Sequence, residues 1–222
     1  MKKIFDLINR NLLRPVKRFS DSSPSVLPLI TIAREKGSGG RPVAYLVAKK
    51  LGNPWEVYHE QVVAQIAKET DLNEELIKEV DERNIPLIEE IVADFFGKKY
   101  MSLGSYHKHL LKILSTIGHR GHAIVVGRGA RFLFPEGLKI GVIAERTQRI
   151  EWMMQFEKIS QNEAIKRIDT ADKERYEFIK SVYNRDPRNI HDFDLIIKTG
   201  KYTSIEDAAN VIVSEARRRF KL

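Results

Sequence analysis

A short apolar run that stops at a glycine-rich turn and restarts as a helix sets the terms for this chain. Leu29 to Ala33 (LITIA) has strand length and only Thr31 as a polar member, which suits a strand buried on both faces. Arg34-Glu35-Lys36-Gly37-Ser38-Gly39-Gly40-Arg41 follows, and Pro42 to Leu51 then reads as a helix with proline at its first position. In that order, strand, turn and helix start build a nest for an anion. Glycines admit positive φ, so main-chain N–H groups and the helix N-terminus can converge on one oxyanion. A merely flexible connection is the competing reading of GSGG, and its place directly after the first buried strand argues against it.

The rest of the chain alternates in the same way. Trp55 to Tyr58, Ala123 to Val126, Lys139 to Ala144 and Phe193 to Lys198 have strand character. Helical patterns cover Arg146 to Glu157, then a stretch opened by the capping pattern Ser160-x-x-Glu163 and running toward Tyr183. A last helix is opened by Ser204-x-x-Asp207. Glu60 to Arg120 reads as helix after helix between two strands, a helical insertion over one edge, its final member running from His107 to Arg120. Such alternation predicts an α/β fold with a parallel sheet covered on both faces. The expected organisation is a basic amphipathic arm and linker over residues 1–25 and one domain over 26–222.

Charge narrows the function. The net +8 arises at the ends: six basic against two acidic residues between Met1 and Pro28, and Arg217, Arg218, Arg219 and Lys221 at the other terminus. The 28 basic and 28 acidic residues between them cancel. A nucleic-acid binder carries its basic stripe on the folded body, so nucleic acid is not the expected partner. With no cysteine, disulfides, thiolate catalysis and Cys-based zinc sites are excluded. His107-x-His109 has the wrong spacing for one helix face and His119-x-x-His122 straddles Gly121, a helix end, so no metal-ligating residues are assigned. No apolar stretch reaches membrane-spanning length, and the chain is expected to be soluble and cytoplasmic. Ile4, Leu7, Ile8 and Leu12 give the arm one apolar stripe. Packing on its own domain or on a partner subunit is preferred there to a membrane-surface contact. Trp152, Met153, Met154 and Phe156 read as core, and oligomeric state stays open.

The glycine turn departs from the G-x-x-x-x-G-K-[ST] pattern of P-loops. Gly40 stands at the lysine, then comes Arg41, and Pro42 sits about where the Mg²⁺-binding Ser/Thr hydroxyl belongs. Nevertheless AREKGSGGRPVAYLVAKKLG resembles the opening of the cytidylate kinase-like family of P-loop kinases, whose members read S-R-E-x-G-S-G-G-R. Four further blocks are similar in the right order: AIVVGRGAR (Ala123 to Arg131), RTQRIEWM (Arg146 to Met153), RIDTADKERY (Arg167 to Tyr176) and DLIIKT (Asp194 to Thr199).

The resemblance implies a nucleoside monophosphate kinase fold. That fold has a five-stranded parallel sheet flanked by helices, a helical acceptor region at about 60–120 and a helical lid at about 158–190. It implies transfer of the γ-phosphoryl of ATP, with Mg²⁺, to a (d)CMP-like monophosphate. Phosphoryl transfer calls for positioning and positive charge more than covalent chemistry, which suits an arginine-rich set. On that reading Gly37, Ser38, Gly39, Gly40, Arg41 and Pro42 hold the donor phosphates, and Arg41, Arg128, Arg167 and Arg175 are the catalytic cations. Arg34, Arg128, Arg131, Arg149 and Asp172 bind substrate, with Asp172 orienting a lid arginine. Arg34 with Glu35 is also read as an ion pair buttressing the loop. Gly129 stands where cytidylate kinases proper carry Asp, and Lys198 replaces the usual Asn. The competing reading is a non-catalytic nucleotide or phosphate-ligand binder with a degenerate P-loop. The missing lysine and hydroxyl favour the binder; the arginine set and the glycine turn favour the enzyme.

Overall fold

The structure is a computed structural model that describes residues 28–59 and 121–222 and, between them, residues 110, 111, 113–115, 117 and 118. The N-terminal arm and most of the expected insertion lie outside the described residues. Of the helix expected from His107 to Arg120, the described members are helical.

Strands β1 (Leu29–Arg34), β2 (Glu56–His59), β3 (Ala123–Val126), β4 (Leu138–Ala144) and β5 (Leu195–Thr199) form one parallel sheet in the order β2-β3-β1-β4-β5. Helices, numbered among the described residues, are α1 (Gly40–Leu51), α2 (Ala130–Leu133), α3 (Arg146–Glu157), α4 (Gln161–Tyr183) and α5 (Ile205–Phe220). The parallel five-stranded core with flanking helices is the architecture expected. The four-residue α2 was not foreseen, and β5 begins two residues later than the apolar run suggested.

Side chains alternate between two cores. Ile30, Ile32, Ile124, Val126, Ile140 and Val142 meet Val43, Ala44 and Val47 of α1 and Ala208, Ile212 and Val213 of α5 on one face. Leu29, Ala123 and Val125 meet Leu110, Leu111, Leu114, Phe132, Ile179 and Val182 on the other. Ile30, Ile32 and Ile140 are fully buried, each stabilising the fold by about 1.5–3 kcal/mol relative to exposure. Both sequence-read caps form. Ser204 Oγ accepts from Asp207 N at 3.1 Å while Asp207 Oδ2 accepts from Ser204 N at 3.0 Å, and Ser160 Oγ accepts from Glu163 N at 3.3 Å.

A third, smaller cluster of Met153, Ala164 and Ile168 locks α3 against α4. Only part of the expected Trp152–Phe156 core exists. Met153 is buried, but Phe156 is 72% exposed and Met154 38%, because one helix face alone meets α4. Among the described residues, no helix is long and apolar enough to cross a membrane.

Candidate active site

The glycine turn sits between the end of β1 and α1, and its shape is imposed by what packs on it. Gly37 and Gly39 have φ of 82° and 79°, in the left-handed region that favours glycine. A Cβ on Gly37 would meet the Arg149 carbonyl oxygen at 2.9 Å, and one on Gly39 would meet Ile205 Cδ1 at 2.2 Å. The Ser38 hydroxyl, fully buried, lies 3.0 Å from Glu35 O and 2.9 Å from Val142 O. Thr199 Oγ1 donates to Ser38 O at 2.7 Å, tying the turn to β5. Ser38 is therefore a structural clamp. The N–H groups of Gly37, Gly39 and Gly40 meet no acceptor among the described residues. Those amides lie at the N-terminus of a 12-residue helix, whose dipole favours negative charge there. Arg41 and Pro42, its next two residues, are exposed.

Beside the turn, the C-terminal ends of β1, β3 and β4 open into a cleft of about 570 Å³ roofed by α4. Ligands of α/β sheets bind at such carboxyl ends. Its floor is low because small residues neighbour one another there: Thr31 and Ala33 of β1, with Gly141 paired to Ala33 across β4. The Thr31 hydroxyl is buried with no hydrogen-bond partner. Phe178, Phe193, Ile190 and Ile196 supply an apolar wall, Arg34, Arg128, Arg131, Arg175 and Arg188 positive charge, and Glu35, Asp172 and Glu174 negative charge.

Arg128 projects from a backbone kept in the left-handed region over three successive residues, with φ of 83°, 55° and 69° at Gly127, Arg128 and Gly129. A positive φ at a long side chain is strained and persists only where the surroundings enforce it. Here Tyr183 Oη donates to the Arg128 carbonyl at 2.7 Å, and its ring fills the space a Cβ on Gly129 would need. Burial pushes the Tyr183 phenol well above its ordinary pKa, so it remains a donor. The Arg128 guanidinium carbon lies 5.6 Å from the Phe178 ring centroid.

The remaining expected site residues divide. Arg175 reaches the cleft wall and donates to Asp172 Oδ1 at 3.1 Å. Asp172, meant to orient a lid arginine, also takes the Lys36 N–H and a short bond from Arg149. Arg149 is buried and donates through Nε to Lys36 O at 2.7 Å, so it braces the turn from within the protein. Arg131 is sandwiched between the Phe132 and Phe193 rings at 4.2 and 4.5 Å and donates to Pro187 O. Burial lowers its pKa to about 10, with Asp192 and Tyr183 opposing. Arg167 stands apart, exposed and bound to Glu163 and Glu157 at 2.7 and 3.0 Å. The proposed Arg34–Glu35 buttress does not form. Glu35 accepts from Ala144 N at 3.0 Å and faces Arg149 at 3.6 Å, while Arg34 extends to Gly127. Lys198, in the place of the family's Asn, pairs with Glu145.

The described residues do not form a protein cage for Mg²⁺. Pro42 has no hydroxyl, that of Ser38 is spent on carbonyls, and among the described residues no three His, Asp or Glu converge. An ion carried by a nucleotide's own phosphates needs no such cage.

The profile of the cytidylate kinase-like family matches residues 29–201. No curated protein matches the chain. The crystal structure of an uncharacterized protein from Eubacterium ventriosum superposes with a TM-score of 0.57 at 18% identity, over 85% of this chain and 97% of that one, a likeness of fold. TT1252 from Thermus thermophilus gives 0.47 at 19% identity, over 84% and 96% of the two chains. Shikimate kinase from Acinetobacter baumannii in complex with shikimate gives 0.46 at 13%, over 86% and 93%. A five-stranded parallel sheet, a glycine turn at its first helix and a match spanning most of the described domain lead to one conclusion: the chain belongs to the cytidylate kinase-like family.

Proposed function

We propose that the protein is a nucleotide kinase-like phosphotransferase that moves the γ-phosphoryl of ATP to a (d)CMP-like monophosphate. The observation that carries the reading is adjacency. A glycine turn with three unengaged amides borders a cleft that takes arginines from β1, the turn after β3, α2 and α4. In this reading the triphosphate lies on the Gly37–Arg41 turn with Mg²⁺ on its phosphates. The acceptor phosphate lies against Arg128 and Arg175, and the acceptor base against Phe178 and Phe193. Arg128 and Arg175 neutralise charge on the phosphoryl group in flight, the main requirement of this chemistry. Arg41 grips the donor phosphates from the helix start.

The second reading, a non-catalytic binder of nucleotides or phosphate ligands, draws on Gly40 and Pro42, which remove the P-loop lysine and hydroxyl. One assay separates the two. Purified protein is incubated with ATP, Mg²⁺ and a panel of ribo- and deoxyribonucleoside monophosphates, and diphosphates are measured. The enzyme reading expects turnover on a pyrimidine acceptor, falling about 10²-fold or more in Arg128→Ala. Binding of ATP without turnover on any acceptor selects the binder instead.

A further inference from the structure

We propose that Arg34 is the cation that stands in for the missing P-loop lysine, reaching the transferred phosphoryl group from β1. The inference rests on the phosphotransferase reading and adds a catalytic residue to it. Counting the G-x-x-x-x-G-K pattern through Gly39 puts its first glycine on Arg34 and its lysine on Gly40. The two departures are opposite. A long cation stands where the pattern has no side chain, and nothing stands where the pattern has a long cation.

The geometry links them. A Cβ on Gly40 would lie 2.5 Å from Arg34 Cβ and 3.0 Å from Arg34 Cγ. These atoms are the root of the arginine, which no rotation about its outer bonds can withdraw. Space exists for a side chain at 34 or at 40, but not at both. Gly40 is buried, so its missing side chain cannot be replaced from the solvent side.

From that root the arginine runs the right way. Its Nη1 lies 2.2 Å from the position of a Cβ on Gly127, so the guanidinium rests on the turn that carries Arg128. Its stem thus touches the donor turn at Gly40 and its fork reaches the acceptor side, where it lines the cleft. Lys36 Nζ pairs with Glu157 at 2.8 Å, and Arg149 with Asp172 and the Lys36 carbonyl, contacts that hold the turn in place.

In the transfer, an acceptor phosphate oxygen bonds to the γ-phosphorus while the bond from that phosphorus to the β–γ bridging oxygen breaks. ADP departs with the electron pair. Arg34 exchanges no proton; its planar donors hold equatorial oxygens of the moving group, a task a guanidinium performs with two parallel hydrogen bonds.

The test uses the full chain with four variants. Arg34→Met keeps the stem that fills the space beside Gly40 and removes the charge; Arg34→Lys keeps a charge. Gly40→Lys adds the P-loop lysine against the arginine, and Arg34→Gly/Gly40→Lys rebuilds the P-loop arrangement. Arg34→Met is expected to lower kcat about 10²-fold or more with KM for the acceptor changed less than about threefold, and Arg34→Lys to keep part of the rate. Gly40→Lys is expected to lower the urea midpoint, and the double variant to restore both the midpoint and at least about a tenth of the rate.

Wild-type kcat in Arg34→Met, or a double variant no more stable than Gly40→Lys, would overturn the proposal. If the wild type phosphorylates no acceptor, the enzyme reading fails separately. The ratio of ATP to AMP affinity by calorimetry then decides for Arg34. A fall of about tenfold in Arg34→Met supports its place on the β- and γ-phosphates, and an unchanged ratio removes it.

Discussion

The main-chain N–H of Lys36 donates to Asp172 Oδ1 at 3.2 Å, so a carboxylate from the long helix α4 is seated on an amide of the glycine turn. The same carboxylate binds Arg149, whose side chain is 7% exposed, and Arg175. One acid thereby joins turn, α3 and α4. Asp172→Asn leaves the buried Arg149 charge with Glu35, at 3.6 Å, as its remaining paired carboxylate among the described residues. Breaking such a pair by removing one partner is expected to cost about 2–4 kcal/mol. Urea denaturation checks this; a loss below about 0.5 kcal/mol would mean the contact contributes nothing.

Gly39 is held to glycine by two separable effects. Its φ of 79° costs a side-chain-bearing residue about 1–2 kcal/mol, and its Cβ would overlap Ile205 Cδ1 at 2.2 Å. Gly39→Ala is therefore expected to lose about 2–4 kcal/mol. Adding Ile205→Ala should return the steric part and leave the backbone part. A double variant showing the plain sum of two single losses would argue that Ile205 does not press on the turn.

Glu157 gives the fold an acid-sensitive tie. It accepts from Lys36 Nζ at 2.8 Å and from Arg167 at 3.0 Å, joining the glycine turn to α4 through the end of α3. Burial pushes its carboxyl up, but the hydrogen bonds from Lys36 and Arg167 outweigh this and the net direction is down. The unfolded chain then binds more protons than the native one, so stability rises with pH across the window. The contribution is fully present above the ordinary glutamate value of about 4.3 and is lost as pH falls through the lower folded value. Wild type and Glu157→Gln should differ in urea midpoint above about pH 5 and converge near pH 3. A difference that does not change with pH would contradict the assignment.

The fold was largely legible because its determinants are local. LITIA, AIVV and LKIGVIA are continuous apolar runs, as strands covered on both faces must be, and Ser160 and Ser204 announce their helices through the acids three residues on. The glycine turn was equally visible, as was the glycine on either side of Arg128. The sequence did not say what approaches: the Arg34 fork at Gly127 and the Tyr183 ring at Gly129 come from opposite ends of the domain.

What stayed hidden depends on register and long-range packing. Thr31, Ala33 and Gly141 make a cleft floor only because Ala33 pairs with Gly141, a relation no local window contains. Arg131 read as a ligand contact and lines the cleft, but its ring sandwich was hidden, because Phe193 comes from far along the chain to close what its neighbour Phe132 begins. Arg167 and Arg175 share one helix and look alike in sequence. Facing decides between them: Arg175 turns to the cleft and Arg167 to solvent. The short α2 escaped notice because Ala130-Arg131-Phe132-Leu133 is too brief to show a period.

The central claim is that a polyphosphate cradle at the Gly37–Arg41 turn and an acceptor pocket beneath α4 form one continuous site. A bisubstrate compound joining adenosine to cytidine through five phosphates occupies both at once, and calorimetric titration against ATP alone measures the connection directly. The account predicts binding about 10²-fold or more tighter than ATP, weakened by Arg41→Ala and by Arg128→Ala alike. Equal affinity for the two compounds, with neither arginine mattering, would contradict it.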